Sequence, residues 1–227
     1  MSGSSRAFTS GLRRFRLDSI GAQAPCHTSG EVEMQPITYL LGLDPSPNHT
    51  GWCFCKTACP GDLTYGVHDL EKSRLGEIEK MDSVLEHLKP MFQPGLLVMI
   101  ENFAFHAHGR SVLQLAGLQY LLRHHLAKSG IPFKLITPNQ AKKFLTGKHH
   151  CEKNVVLKEV LKRYQIDVDD DNIADAINMN KIGQAMLGLI QPDNQAQRDV
   201  VAELLKGPAT KKKERANRAA QKAPAAP

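Results

Sequence analysis

Two short apolar runs, each ending directly in a carboxylate, constrain the fold of this chain more than any other feature. Residues 39–43 (Tyr-Leu-Leu-Gly-Leu) run into Asp44, and residues 96–100 (Leu-Leu-Val-Met-Ile) run into Glu101. A short apolar run bounded by turn residues predicts a buried β-strand. Taken alone, each acid would simply mark the exposed end of a strand where a loop begins. Because a buried acid is costly unless its charge is offset, two such acids on neighbouring strands instead suggest one shared site.

A third acidic cluster lies further along the chain, in residues 167–172 (Asp-Val-Asp-Asp-Asp-Asn). Acids before a helix cap its N-terminus and favour its dipole, which accounts for Asp170 or Asp171. Capping does not account for Asp175, which follows one turn later within an apolar stretch. Asn172 lies three residues before Asp175 on the same helical face and offers a further oxygen ligand.

The three acids Asp44, Glu101 and Asp175 therefore predict a site for one or two Mg²⁺ ions, because clustered carboxylates suit a hard divalent cation. Two such ions roughly 3.5–4 Å apart stabilise both the attacking and the leaving oxygen in phosphoryl transfer. This chemistry requires neither a Ser-His-Asp nor a Cys-His arrangement.

The order of the predicted elements is β-β-β-α-β-α-β, followed by further helices. The predicted strands cover residues 37–43, 50–56, 63–67, the run into Glu101, and 133–136. Three early strands at short spacing predict an antiparallel meander, whereas two later strands reached through helices predict parallel crossovers. The expected fold class is α/β, with a mixed five-stranded sheet and helices on both faces.

Composition divides the chain into three parts: a disordered N-terminal extension (residues 1–35), a folded domain (36–191) and a basic low-complexity tail (192–227). The formal net charge is +6. Residues 206–227 hold seven cations and one acid, whereas residues 31–205 hold 18 cations and 21 acids. Basic tails attract polyanions through a salt-sensitive, sequence-independent interaction, although a solubilising disordered end would have the same composition.

The five cysteines and the lack of a long apolar run indicate the compartment. An odd, sparse set of cysteines argues against a secreted disulfide framework. No run approaches the length of a membrane span. We therefore expect a soluble cytoplasmic protein with no membrane partner.

The acidic motifs resemble those of a known family. Residues 41–46 (Leu-Gly-Leu-Asp-Pro-Ser), 50–52 (Thr-Gly-Trp), 100–102 (Ile-Glu-Asn) and 174–176 (Ala-Asp-Ala) resemble the RuvC-type Holliday-junction resolvases, particularly phage-like members. The resemblance covers roughly residues 37–190. It implies an RNase H-like fold and a homodimeric Mg²⁺-dependent endonuclease, with Mn²⁺ as a possible substitute, that cuts branched DNA symmetrically.

The same resemblance implies that Asp44, Glu101 and Asp175 are the catalytic, metal-binding acids. The sequence departs from the family at one point. The best-known bacterial members carry two acids three residues apart in the last helix, and the earlier position is Asn172 here. Either Asn172 is a neutral ligand or the adjacent Asp171 replaces the missing carboxylate.

Residues 139–148 and 152–154 also resemble the family and supply lysines to the expected DNA surface. Lys142, Lys143 and Lys148 are expected to face DNA phosphates, and Lys153 is expected to bind DNA and approach the scissile group as a catalytic residue. The alternative for these lysines is that they are solvated helix charges.

Two aromatic residues, Phe103 and Phe105, follow Glu101 closely. They are expected either to stack on unpaired bases at a junction or to pack beneath the loop. The helix at residues 111–127 has enough apolar surface to pack on the sheet and against a second subunit. Two symmetric cuts require two active sites, hence a dimer.

Two alternative functions remain open from the sequence. One is another RNase H-like nuclease, acting on RNA–DNA hybrids or flaps. The other is a non-catalytic protein that binds branched DNA and has lost its fourth acid at Asn172.

Overall fold

The computed structural model describes residues 36–103, 110–149 and 153–206. Its centre is a five-stranded sheet in the order β3-β2-β1-β4-β5. The strands are β1 (Tyr39–Asp44), β2 (His49–Lys56), β3 (Leu63–Asp69), β4 (Leu96–Glu101) and β5 (Phe133–Ile136). The first three strands pair antiparallel, and β4 pairs parallel with both β1 and β5. The predicted mixed sheet is therefore confirmed.

The helices within the described ranges follow the chain order in which they were predicted, with one addition. They are α1 (Glu77–Leu88), α2 (Arg110–Lys128), α3 (Pro138–Thr146), α4 (Lys153–Tyr164), α5 (Asp171–Met186) and α6 (Gln195–Leu205). A single 3₁₀ turn, Lys89–Met91, follows α1. None of the helices in these ranges combines the length and the apolar character that crossing a membrane requires.

Alternate residues of the central strands pack on opposite faces of the sheet, as the two-residue period of a strand requires. Leu41 and Ile100 belong to the core cluster formed with α1 and α2. Leu40 and Met99 belong to the cluster formed with α3, α5 and α6. The sheet is thus covered by helices on both faces, which is the predicted architecture.

Helix α6 corrects the predicted boundary of the C-terminal tail at residue 192. Asn194 caps this helix, accepting a 3.0 Å hydrogen bond from the backbone of Gln197. Val200 and Leu204, four residues apart, are 1% and 3% exposed and join the core. The polar composition of this segment concealed a helix with one narrow apolar stripe. The folded domain therefore extends to about residue 205, and the predicted extension (1–35) lies outside the described residues.

Candidate metal centre

Strand alternation brings Asp44 and Glu101 to the same face of the sheet. Asp44 is two residues after Gly42 on β1, and Gly42 lies against α5. Glu101 is two residues after Met99 on β4, and Met99 packs in the cluster that contains α5. Since β1 and β4 are adjacent and parallel, their C-terminal ends deliver both acids to one place beside this helix.

Helix α5 lies unusually close to the sheet because two glycines leave room for its backbone. A methyl group added at Gly42 would lie 2.2 Å from the carbonyl oxygen of Ala176. At Gly51 it would lie 2.0 Å from the carbonyl oxygen of Asn172. Only glycine permits this approach without displacing backbone, and the approach places Asp175 at the sheet surface.

A buried asparagine of α5 fixes the helix to the strands by hydrogen bonds. The side-chain amide of Asn180 donates to the carbonyl oxygens of Leu40 at 3.2 Å and Cys53 at 3.0 Å. Its own oxygen accepts from Gln184 at 2.8 Å. A buried amide paired on both sides makes the docking of the helix specific rather than merely apolar.

The three predicted acids meet in the folded structure. Asp44, Glu101 and Asp175 each offer a carboxylate oxygen, and these oxygens lie within 4.8 Å of one another. All three residues are partly buried. Three strand-end and helix carboxylates at this separation form an oxygen-only donor set, which suits a hard divalent cation.

The electrostatics of Glu101 point to the same chemistry. Burial first, and then the charges of Asp44 and Asp175, raise the pKa of the Glu101 carboxyl well above its usual range. The charge of Lys142 opposes this rise. Like charges held this close are stable only when a proton or a cation neutralises them, so the three acids fit a divalent metal ion.

The remaining two predicted ligands, Asp171 and Asn172, differ in their surroundings. Asp171 lies in the first turn of α5 and is not among the carboxylates that meet within 4.8 Å. Asp170 is the N-cap of the helix, accepting from the backbone of Asn172 at 2.8 Å and of Ile173 at 3.2 Å. The Asn172 amide also donates to Asp170 at 3.1 Å, which leaves its side-chain oxygen available as an acceptor.

The predicted DNA-binding lysines fall in different environments. Lys142 lies in α3, close enough to Glu101 for its charge to affect that carboxyl. Lys143 forms a 3.2 Å ion pair with Asp199 of α6, so a contact with DNA would compete with this pair. Lys148 is exposed in the turn after α3. Lys153 begins α4, and its side chain lies outside the described residues.

The two predicted stacking aromatics are described unequally. Phe103 follows β4 and is partly buried, whereas Phe105 lies outside the described residues. Stacking on bases by either residue stays a prediction.

Two further residues near the site make contacts that the sequence did not predict. Gln119 and Asn180 are 1% and 0% exposed, and each donates to a strand backbone. A polar amide at an otherwise apolar helical position was the available signal. Periodicity alone does not say which strand atom such an amide contacts.

Comparison with known proteins agrees with the site. Residues 40–183 match the family described as "Crossover junction endodeoxyribonuclease RuvC". A protein of that name from Synechococcus sp. (strain WH7803) is 27% identical over 146 residues, which cover 61% of this chain and 92% of the relative. The expected likeness to phage members in particular stays a prediction.

Solved structures resemble this fold as well. Thermus thermophilus RuvC in complex with a Holliday junction substrate gives a TM-score of 0.50 at 18% identity, covering 68% of this chain and 99% of that one. A second structure of Thermus thermophilus RuvC gives a TM-score of 0.49 at 19% identity, with the same coverage. The structure of the complex, with its TM-score of 0.50, shows that this chain has the RNase H-like fold of RuvC. With its acidic centre and its match along residues 40–183, this chain belongs to the RuvC family of crossover junction endodeoxyribonucleases.

Proposed function

We propose that this chain hydrolyses phosphodiesters of four-way DNA junctions, with Asp44, Glu101 and Asp175 as catalytic ligands of Mg²⁺. The observation that carries the proposal is the meeting of these three carboxylates within 4.8 Å. Family membership supplies the metal-dependent endonuclease activity. A divalent cation bound there neutralises the acids and stabilises negative charge on the phosphate oxygens in the transition state.

The choice of Mg²⁺, with Mn²⁺ as a substitute, follows from the donor set. Among the described residues, the cluster contains carboxylate oxygens and neither sulfur nor imidazole nitrogen. Hard oxygen ligands favour Mg²⁺ and Mn²⁺ over zinc or copper. Three carboxylates can bind either one or two such ions.

Asn172 is the better candidate for a fourth ligand. Its Cβ would lie 3.1 Å from a methyl group at Gly51, and Gly51 is the cross-strand partner of Asp44. Asn172 is also one turn before Asp175 on the same side of α5. A neutral amide oxygen in place of a carboxylate would weaken the binding of a divalent cation, because one negative charge is missing.

The DNA-binding surface that we propose extends from the acids across α3. Lys142 is its best-supported cation because it lies near Glu101. Lys148, Lys153, Phe103 and Phe105 complete the proposed contact set, and Lys143 would join it only by leaving Asp199. Contacts of this kind read backbone shape, so the proposed substrate is a branched structure rather than a base sequence.

A homodimer is proposed from the exposed apolar residues of α2. Leu113 is 75% exposed and Tyr120 is 65% exposed, one heptad apart on the same side of the helix. The guanidinium carbon of Arg123 lies 4.3 Å from the centroid of the Tyr120 ring. A helix that presents large apolar side chains to solvent is typical of a subunit interface.

The proposed compartment is the cytoplasm. Among the described cysteines, Cys53, Cys55 and Cys59 are free thiols. An exposed free thiol such as Cys59 is compatible with a reducing compartment.

A cleavage assay with Asp44→Asn tests the proposal. The variant should bind a labelled four-way junction in Ca²⁺ like the wild type but should cut it in Mg²⁺ more than about 1,000-fold more slowly, since a ligand in direct contact with the metal is lost. Asp62→Asn is the matched control, because Asp62 is an exposed acid outside the cluster. Cutting by Asp44→Asn at the wild-type rate would remove Asp44 from the metal site.

The same assay separates the alternative functions. RNA–DNA hybrids, flaps and four-way junctions are compared side by side, in Mg²⁺ and in Mn²⁺. Preference for hybrids or flaps would indicate another nuclease on this fold. Tight junction binding without cleavage in either metal would indicate a non-catalytic branch-binding protein, the alternative that Asn172 at the fourth position favours.

A further inference from the structure

Gln119 is a buried amide in an apolar environment. It lies in α2 and is 1% exposed. Its neighbours in the helix, Leu118 and Leu122, are 0% exposed and pack in the core cluster that contains Ile100. An apolar side chain at position 119 would satisfy the packing of this helix on the sheet, so burial alone does not explain the amide.

The amide of Gln119 is directed at the last residue of β4. Its Nε2 donates to the backbone carbonyl oxygen of Glu101 at 2.7 Å. The ladder between β1 and β4 ends at the pair Leu43 and Ile100, one residue before Glu101. Gln119 therefore supplies a donor to the carbonyl of the catalytic acid just beyond the last of these pairs.

The peptide after Glu101 is held independently. The backbone N–H of Asn102 donates to the carbonyl oxygen of Ile136 on β5 at 2.7 Å. Glu101 is thus fixed from α2 through its carbonyl oxygen and from β5 through the following residue. These two bonds fix the backbone from which the Glu101 side chain extends.

Among the described residues, the Gln119 side chain forms one hydrogen bond, and its burial lowers stability. Within the part of the chain that the structure describes, its Oε1 is buried and has no hydrogen-bond partner. Leaving a buried acceptor unpaired lowers stability, whereas an apolar residue of the same shape would not. In the described part of the chain, the bond to Glu101 is the favourable contact that a leucine at this position could not make.

We propose that Gln119 is a positioning residue for the metal centre, holding the Glu101 backbone so that its carboxylate meets those of Asp44 and Asp175. The inference deepens the proposed function, since it assumes that these acids bind the cation. Removing a group that holds a metal ligand in place, without touching the metal itself, lowers metal affinity or activity by about 10- to 100-fold.

Gln119→Met tests this role, because methionine retains the length of the side chain and loses the donor. Binding of Mn²⁺ alone is measured by calorimetry without DNA, alongside the Mg²⁺ dependence of single-turnover junction cleavage. The expected result is a Mn²⁺ dissociation constant, or a Mg²⁺ requirement, raised by about 10-fold or more. Junction binding in Ca²⁺ should be unchanged, because Gln119 is buried and does not contact DNA.

Gln197→Met is the matched control. Gln197 is another buried glutamine, on α6, and is 3% exposed. Its side-chain oxygen accepts a 2.7 Å hydrogen bond from the backbone N–H of Asp193. It should lower the melting temperature without changing Mn²⁺ affinity. The proposal is overturned if Gln119→Met binds Mn²⁺ and cuts like the wild type, or if Gln197→Met impairs both to the same extent.

A second variant is needed in case Gln119→Met does not fold. Gln119→Leu matches the neighbouring leucines, and if neither variant folds, Gln119 is a structural residue and the proposal is wrong. A wild-type protein that binds Mn²⁺ but cuts no junction would contradict the proposed function alone. The calorimetric comparison of the variants would then still decide the role of Gln119.

Discussion

Gly51 on β2 faces Asn172 on α5 so closely that a methyl group at position 51 would lie 2.0 Å from the Asn172 carbonyl oxygen. Gly51 is also the cross-strand partner of Asp44. This close approach of helix to sheet therefore lies beside one acid of the cluster and one turn before another, Asp175. A change in the spacing between α5 and the sheet would therefore change the distance of Asp175 from the two strand acids.

Gly51→Ala is expected to move α5 away from β2, because the clash is with backbone atoms that cannot rotate aside. Overpacking of this kind costs about 1–3 kcal/mol of stability. The displacement should also raise the Mg²⁺ concentration needed for half-maximal cleavage. Chemical denaturation and metal-dependent cleavage measure the two effects.

Gly61→Ala is the control for this substitution. Apart from the glycine and its two chain neighbours, no described residue has an atom within 4 Å of a methyl group at Gly61, so the stability and metal requirement of this variant should match the wild type. A Gly51→Ala protein that is as stable as Gly61→Ala would show that the helix has room to relax.

The raised pKa of Glu101 predicts how the stability of the metal-free protein changes with pH. The ordinary pKa of this carboxyl is 4.5, and burial followed by Asp44 and Asp175 raises it in the folded state. Between the two values the folded protein holds a proton that the unfolded chain has released. Stability therefore falls as pH rises from about 4.5 towards the folded pKa.

Glu101→Gln should remove this contribution. In EDTA near neutral pH, we expect the variant to melt about 2–4 °C above the wild type. The difference should shrink as pH falls through 4.5, because well below this value the wild-type carboxyl is protonated in both the folded and the unfolded state. Saturating Mg²⁺ should stabilise the wild type more than the variant, because the ion binds ionised carboxylates. Parallel melting curves for the two proteins across this pH range would contradict the assigned environment of Glu101.

Much of the fold and the three acids could be predicted because both depend on short-range patterns. Apolar runs of five residues predicted β1 and β4, and adjacent parallel strands necessarily end at the same edge of the sheet. Asp175 was predicted from a polar residue in a buried helical stretch. The acids then converge as a consequence of topology.

The remaining features depend on contacts between distant parts of the chain. Lys143 has the helical position of a surface cation, and only the folded structure pairs it with Asp199. Likewise the period of α2 puts Gln119 on the apolar side without naming Glu101 as its partner. Helix α6 was not predicted because its two buried apolar residues, Val200 and Leu204, are too few to indicate a helix in a polar segment.

Lys142→Met is expected to shift the pH dependence of cleavage upward. The charge of Lys142 lowers the pKa of Glu101 against the effect of burial, so Glu101 should hold its proton to higher pH without it. If Lys142 also contacts a DNA phosphate, the slope of the logarithm of the junction-binding constant against the logarithm of the salt concentration should fall by about one in magnitude. Lys162→Met is the control, since Lys162 is exposed and its partner is Glu159 at 3.7 Å. An unchanged pH midpoint would exclude an electrostatic effect of Lys142 on the site.

Leu113→Glu tests the proposed dimer interface on α2. Leu113 is 75% exposed in the single chain, so a glutamate there leaves the fold intact and places a charge in the interface. An unpaired buried charge should weaken association by about 100-fold or more. Sedimentation would then show a monomer at concentrations where the wild type is a dimer.

A plasmid that extrudes a cruciform distinguishes dimeric from monomeric action. Two sites acting together on one junction should give linear plasmid, whereas single uncoordinated cuts should give nicked circles. Leu113→Glu should therefore shift the product from linear to nicked while each acidic centre stays intact. Leu161→Glu is the matched control. Leu161 is another exposed leucine, at 44%, and it belongs to α4 rather than to the proposed interface helix α2. If both variants still give linear product, Leu113 is not part of the dimer interface and the interface lies elsewhere.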